Sequence, residues 1–121
     1  MKRTNIPSDQ SIRKLLYDEF LIDLPIMGGS GKSIADAIVL NVTSENDYVG
    51  TEYLIIDLLC FYRKVDWQFR QQILFSAGDK KYDCVQITVS DLKDKSTSSW
   101  TEAYYFEITD CFDMSKHRLG L

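Results

Sequence analysis

The chain has 121 residues, 45% of them apolar and 26% charged, with a net charge of −4 and a pI near 4.9. That length suits one domain, residues 1–121, whose core needs no disulfide or metal to hold it. The acidic balance argues against a nucleic-acid partner, whose phosphates are met by Lys and Arg. No apolar run reaches the roughly eighteen residues of a membrane span, and no signal peptide is evident, so a cytoplasmic protein without membrane contact is expected.

In chain order, Ser8 is a candidate N-cap for a first helix whose Ile12, Leu15, Leu16 and Phe20 follow helical spacing. Pro25 makes LIDLPIM a short extended segment at a sheet edge, and Gly28-Gly29-Ser30-Gly31 separates it from a strand centred on Ala37 to Leu40. A polar turn, Thr43 to Asp47, leads to Thr51–Val65, TEYLIIDLLCFYRKV, in which ten of fifteen residues are apolar. At 100° per residue Leu54, Ile55, Leu58, Leu59, Phe61, Tyr62 and Val65 share an arc of about 160°, with Glu52, Asp57, Arg63 and Lys64 opposite. This predicts a central helix with one wide buried face.

Alternation then predicts three strands. Trp67, Phe69, Ile73 and Phe75 share one side of the first, Val85, Ile87 and Val89 one side of the second, and Trp100, Tyr104, Phe106 and Ile108 one side of the third. Ala77-Gly78-Asp79-Lys80 is the hairpin turn between the first two, and Leu92 to Ser99 is an exposed loop. The expected fold class is α+β: a single-layer antiparallel sheet of about four strands with two helices packed on one face. The tail from Asp113 is expected to fray.

Gly31-Lys32-Ser33 has the ending of a phosphate-binding P-loop, but Ile26 stands where that motif needs its first glycine, and a strand follows where a helix should open. The loop therefore points to close backbone approach instead of nucleotide binding. His117, in the tail, is a poor base for a triad or metal cluster, and Cys60, Cys84 and Cys111 form no CxxC pair. No catalytic residue, cofactor or metal is expected, although Asp36, Asp57, Glu107 and Asp110 leave a carboxylate-lined pocket of a ligand-binding or catalytic domain as the alternative.

Charge is unevenly spread. Neither Ser33 to Tyr62 nor Ser96 to Ser115 contains a Lys or Arg, and both carry several carboxylates. Beside them the polar side of the sheet, with Gln68, Arg70, Gln72, Gln86, Thr88 and Thr101, offers a flat platform. Glu102, Tyr105, Glu107 and Asp110 are the partner-binding candidates: charge to steer a basic partner, and a tyrosine to hold it. The stretch LPIMGGSGKSIADAIVL followed by a hairpin and YYFEITDCF resembles small acidic immunity proteins of bacterial polymorphic-toxin and contact-dependent inhibition systems, over Leu24 to Phe112. The resemblance implies a non-catalytic inhibitor that binds and neutralises a cognate toxin domain, often a basic nuclease. It assigns no individual residue.

Overall fold

The computed structural model describes residues 11–41, 48–91 and 99–112. The elements are helix α1 (Ile12–Phe20), strands β1 (Ile26–Gly28) and β2 (Ile38–Leu40), helix α2 (Tyr48–Arg63), strands β3 (Val65–Ala77), β4 (Lys80–Asp91) and β5 (Trp100–Glu107), and a 3₁₀ turn, Thr109–Phe112. The α+β class and its two helices are as expected, but the sheet has five strands in the order β1-β2-β5-β4-β3 and is mixed. Of its four strand pairs only β2 with β5 is parallel. The extended segment at Ile26 forms a full strand, and the chain passes through α2 and the β3–β4 hairpin before β5 returns beside β2 in the same direction.

Helix α1 is capped by Ser11, whose Oγ accepts from the Lys14 amide at 3.2 Å; the Ser8 expected in that role lies outside the described residues, as do the Thr43 to Asp47 turn and the tail from Asp113. Leu21 ends the helix in the left-handed conformation, φ 58°, donating its N–H to the Tyr17 carbonyl.

Helix α2 begins at Tyr48, earlier than expected, and ends where Lys64 takes φ 63°, so that Val65 already opens β3. Its buried residues are Tyr48, Glu52, Ile55, Ile56, Leu59 and Cys60, whereas Phe61 is 70% and Leu54 40% exposed. The buried face is therefore turned by about a quarter to a third of a rotation from the expected arc. Apolar residues surround the helix almost completely, so periodicity alone cannot choose the face that meets the sheet.

Strand β3 departs from simple alternation. Phe69 pairs with Ile87 and Gln71 with Gln86, leaving Arg70 as the extra residue of a β-bulge. Beyond it every side chain changes sides. Trp67 and Phe69 stay on the helix-facing side, as expected, but Ile73 and Phe75 move to the opposite face, and Gln72 turns toward the helices. Phe75 stacks on Tyr82 there, ring centroids 5.4 Å apart. The hairpin turns at Gly78, whose φ of 66° suits the first central position of a type II′ turn. Ile26, Ile38, Leu40, Val85, Ile87 and Phe106 line the helix-facing side, against Leu15, Leu16, Ile55, Ile56 and Leu59 of the helices.

Candidate partner-binding surface

The glycine loop between β1 and β2 is closed by its own acid. The Gly29 N–H donates to the Ala37 carbonyl, Gly31 N–H to the Asp36 carbonyl at 2.7 Å, and both the amide and hydroxyl of Ser30 donate to Asp36 Oδ2, at 3.2 and 2.5 Å. The Ser30 hydrogen bonds, above all that from the hydroxyl, hold the Asp36 carboxyl below its ordinary pKa. The loop amides that a phosphate would need are thus already taken, that of Ser30 by the Asp36 carboxylate and those of Gly29 and Gly31 by backbone carbonyls. A Cβ at Gly29 would collide with the Asp36 side chain, which explains the glycine there.

This loop sets the limit of the sheet beside β5. Strand β2 meets only Phe106 and Glu107, and one more bond, from the Tyr105 N–H to the Gly31 carbonyl at 2.7 Å, ends the pairing on that side. Residues two apart in a strand direct their backbone groups the same way, so Ala103 and Thr101 turn their N–H and C=O toward this edge as Tyr105 does. Among the described residues neither has a backbone partner there. The open edge borders a cleft of about 600 Å³ lined by Ser30, Lys32, Arg63, Glu102, Tyr104 and Tyr105, with Ala103 on its wall.

Arg63, the last residue of α2, crosses to β5 and binds Glu102 through both guanidinium arms at 2.7 Å, while also donating to the Tyr104 hydroxyl at 3.2 Å. Trp100 Nε1 donates to the same carboxylate at 2.8 Å. The pair is mostly shielded, and the Arg63 pKa is raised chiefly by the hydrogen bonds to Glu102. Beneath it Cys60 is a buried thiol whose pKa burial pushes up to about 12, which makes it unreactive.

The four expected contact residues do not form one acidic surface. Glu102 faces the helix side, and its charge is met by Arg63, a residue far away in sequence; the unrelieved acidic block is relieved in three dimensions. Tyr105 and Glu107 lie together on the helix-free face, opposite Cys84 and Tyr82, with Lys80 Nζ 3.7 Å from Glu107 Oε1. Asp110 lies in the 3₁₀ turn. Tyr105 and Glu102 do both border the cleft region, whose Lys32 and Arg63 were not among the expected contacts. The glycine-dense loop was the one sequence signal near them.

Paired carboxylates do occur, but out of reach. Glu52 and Asp83 are completely buried against each other, and apart from that mutual contact Glu52 Oε1, Oε2 and Asp83 Oδ1 have no hydrogen-bond partner among the described residues. Burial first, and Asp83 second, push the Glu52 pKa up to about 11, so that it stays protonated and donates to Asp83. Gln72 Nε2 donates to Asp83 Oδ2 at 2.5 Å, and the Tyr53 hydroxyl donates to Gln72 Oε1 at 3.3 Å. This is a structural network under α2. Asp36 is committed to its loop, and the cleft holds one carboxylate, Glu102, so no accessible acid–base pair is assembled among these groups. No group of three His, Cys, Asp or Glu among the described residues could hold a metal ion, and no described helix is long and apolar enough to cross a membrane.

Comparison with known proteins finds no family model, no curated protein and no solved structure that matches the chain.

Proposed function

We propose that this chain is a non-catalytic protein-binding domain that takes an extended segment of its partner along the open edge of β5. The observation that carries the reading is the pair of outward backbone positions, Thr101 and Ala103, left beside a cleft where β2 stops short. Backbone pairing would supply affinity, and the cleft would select side chains of the incoming strand. Lys32 is exposed at its rim and favours a carboxylate there; Arg63 is already committed to Glu102.

The narrower form of the proposal is an immunity-type inhibitor that covers a toxin domain, supported by the sequence resemblance. Steering of a basic partner by charge would then draw less on Glu102, which Arg63 shields, than on Glu107, which lies on the helix-free face with Tyr105. A photoreactive side chain placed at Ala103 tests the binding site: it should capture a protein partner in the native host through a strand-like segment, while the same group at the exposed Leu21 should not. Capture at Leu21 alone, or equal capture at both, would overturn the assignment. The inhibitor form is tested by producing the captured partner with and without this chain; toxicity that this chain does not relieve rules it out.

A further inference from the structure

The other side of the sheet presents a second, independent edge. Strand β3 has one strand neighbour, β4, and runs for thirteen residues with its outer side unpaired among the described strands. Long exposed edges of this kind are templates for another chain. The hydrogen-bonding direction can be followed across the sheet: Tyr105 bonds away from β4 and Ile108 toward it, to the Lys81 carbonyl, so even-numbered residues of β5 and odd-numbered residues of β4 face each other. Even-numbered residues of β4 then face β3, where they pair with Gln71, Ile73 and Phe75. Gln72, Leu74 and Ser76 therefore turn their N–H and C=O groups outward.

We propose that the chain forms a twofold homodimer in which Gln71–Ala77 pairs antiparallel with the same segment of a second copy, Leu74 lying on the axis. That register sets Gln72 of each copy opposite Ser76 of the other and joins all three outward residues in hydrogen-bonded pairs. On the helix-free face it sets Ile73 opposite Phe75 twice, extending the Phe75–Tyr82 stack across the junction. Leu74 is 56% and Ile73 42% exposed in the single chain, so the pairing covers apolar surface that the fold leaves open.

Charge does not oppose a second copy here, and the segment is complementary to itself in the antiparallel register. The segment QQILFSA carries no charge, so two chains of net charge −4 meet there without like-charge contact. The bulge at Arg70 bends the strand immediately before the segment and ends the register there, as bulges do at managed edges. Seven residues span roughly 24 Å of strand, a small interface, which points to micromolar affinity.

Sedimentation over a concentration series tests the proposal on the full chain. A reversible dimer is expected, and Leu74→Lys should raise its dissociation constant on the order of 100-fold, because two ammonium groups would meet at the axis. Met27→Lys, on the exposed side of β1, should leave it unchanged. Opposed residues of such a pair have Cα atoms about 5.5 Å apart, within disulfide reach, so Leu74→Cys should cross-link under mild oxidation whereas Leu21→Cys should not. The native cysteines are buried and should stay out of the reaction. A monomer at every concentration, or a dimer indifferent to Leu74→Lys, would overturn the proposal.

Discussion

The two sides of β5 are paired to very different extents. Toward β4 the strand is paired from Trp100 to Glu107; toward β2 it is paired at Phe106 and Glu107 and then by one bond from Tyr105. Strand lengths account for the contrast, since β4 has twelve residues and β2 three. A strand in the interior of a sheet can therefore still offer an edge, provided its neighbour is short. The closed side contributes to folding, and the open side, on the reading proposed above, to partner binding.

Proline substitution should separate the two sides most sharply. At Tyr104, whose N–H faces β4, Tyr104→Pro should cost on the order of 3 kcal/mol beyond Tyr104→Ala, because a buried ladder carbonyl loses its donor. Urea unfolding of the two variants gives the difference. Next in size is the ion pair at the boundary. Removing the guanidinium by Arg63→Ala takes away the positive charge facing Glu102, whose side chain is only 23% exposed, and should cost about 3 kcal/mol. The double change Arg63→Ala with Glu102→Gln should recover part of that loss.

The buried acids under α2 give a pH test of the closed side. Glu52 binds its proton more tightly folded, with a pKa of about 11 against an ordinary value of 4.5, so its stabilising contribution is complete below pH 4.5 and is lost as pH rises toward 11. Stability should fall through that window, by at most about 1.4 kcal/mol per pH unit from this group. Glu52→Gln should flatten the profile. An unchanged slope in thermal unfolding across neutral and alkaline pH would remove Glu52 as its source.

The smallest stability effect belongs to the open side. Ala103→Pro removes an N–H that bonds to nothing in the described structure, and proline is tolerated where an edge N–H faces outward, so the cost should stay within about 1 kcal/mol. Partner binding should nevertheless be lost. A variant that folds and still binds would place the partner elsewhere.

Local pattern made the helices, the hairpin and the polar–apolar alternation of β4 and β5 legible. Two facts about α2 and β3 were not. Glu52 is buried against Asp83 of a distant strand, and a carboxylic acid in the core looks in sequence like any surface Glu. The bulge at Arg70 reverses Ile73, Phe75 and Gln72 without any glycine or proline to announce it. The cleft was the least legible feature, because Lys32, Arg63 and Glu102 come from three separate elements and the open edge depends on a parallel pairing of β2 with β5.

Amide hydrogen exchange along β5 tests the central claim most directly, residue by residue, in the chain alone and with its captured partner. Alone, Glu102, Tyr104 and Phe106 should exchange slowly while Thr101 and Ala103 exchange fast; with the partner bound, Thr101 and Ala103 should become slow as well. Amides of Thr101 and Ala103 already protected in the chain alone, or still fast in the complex, would contradict it.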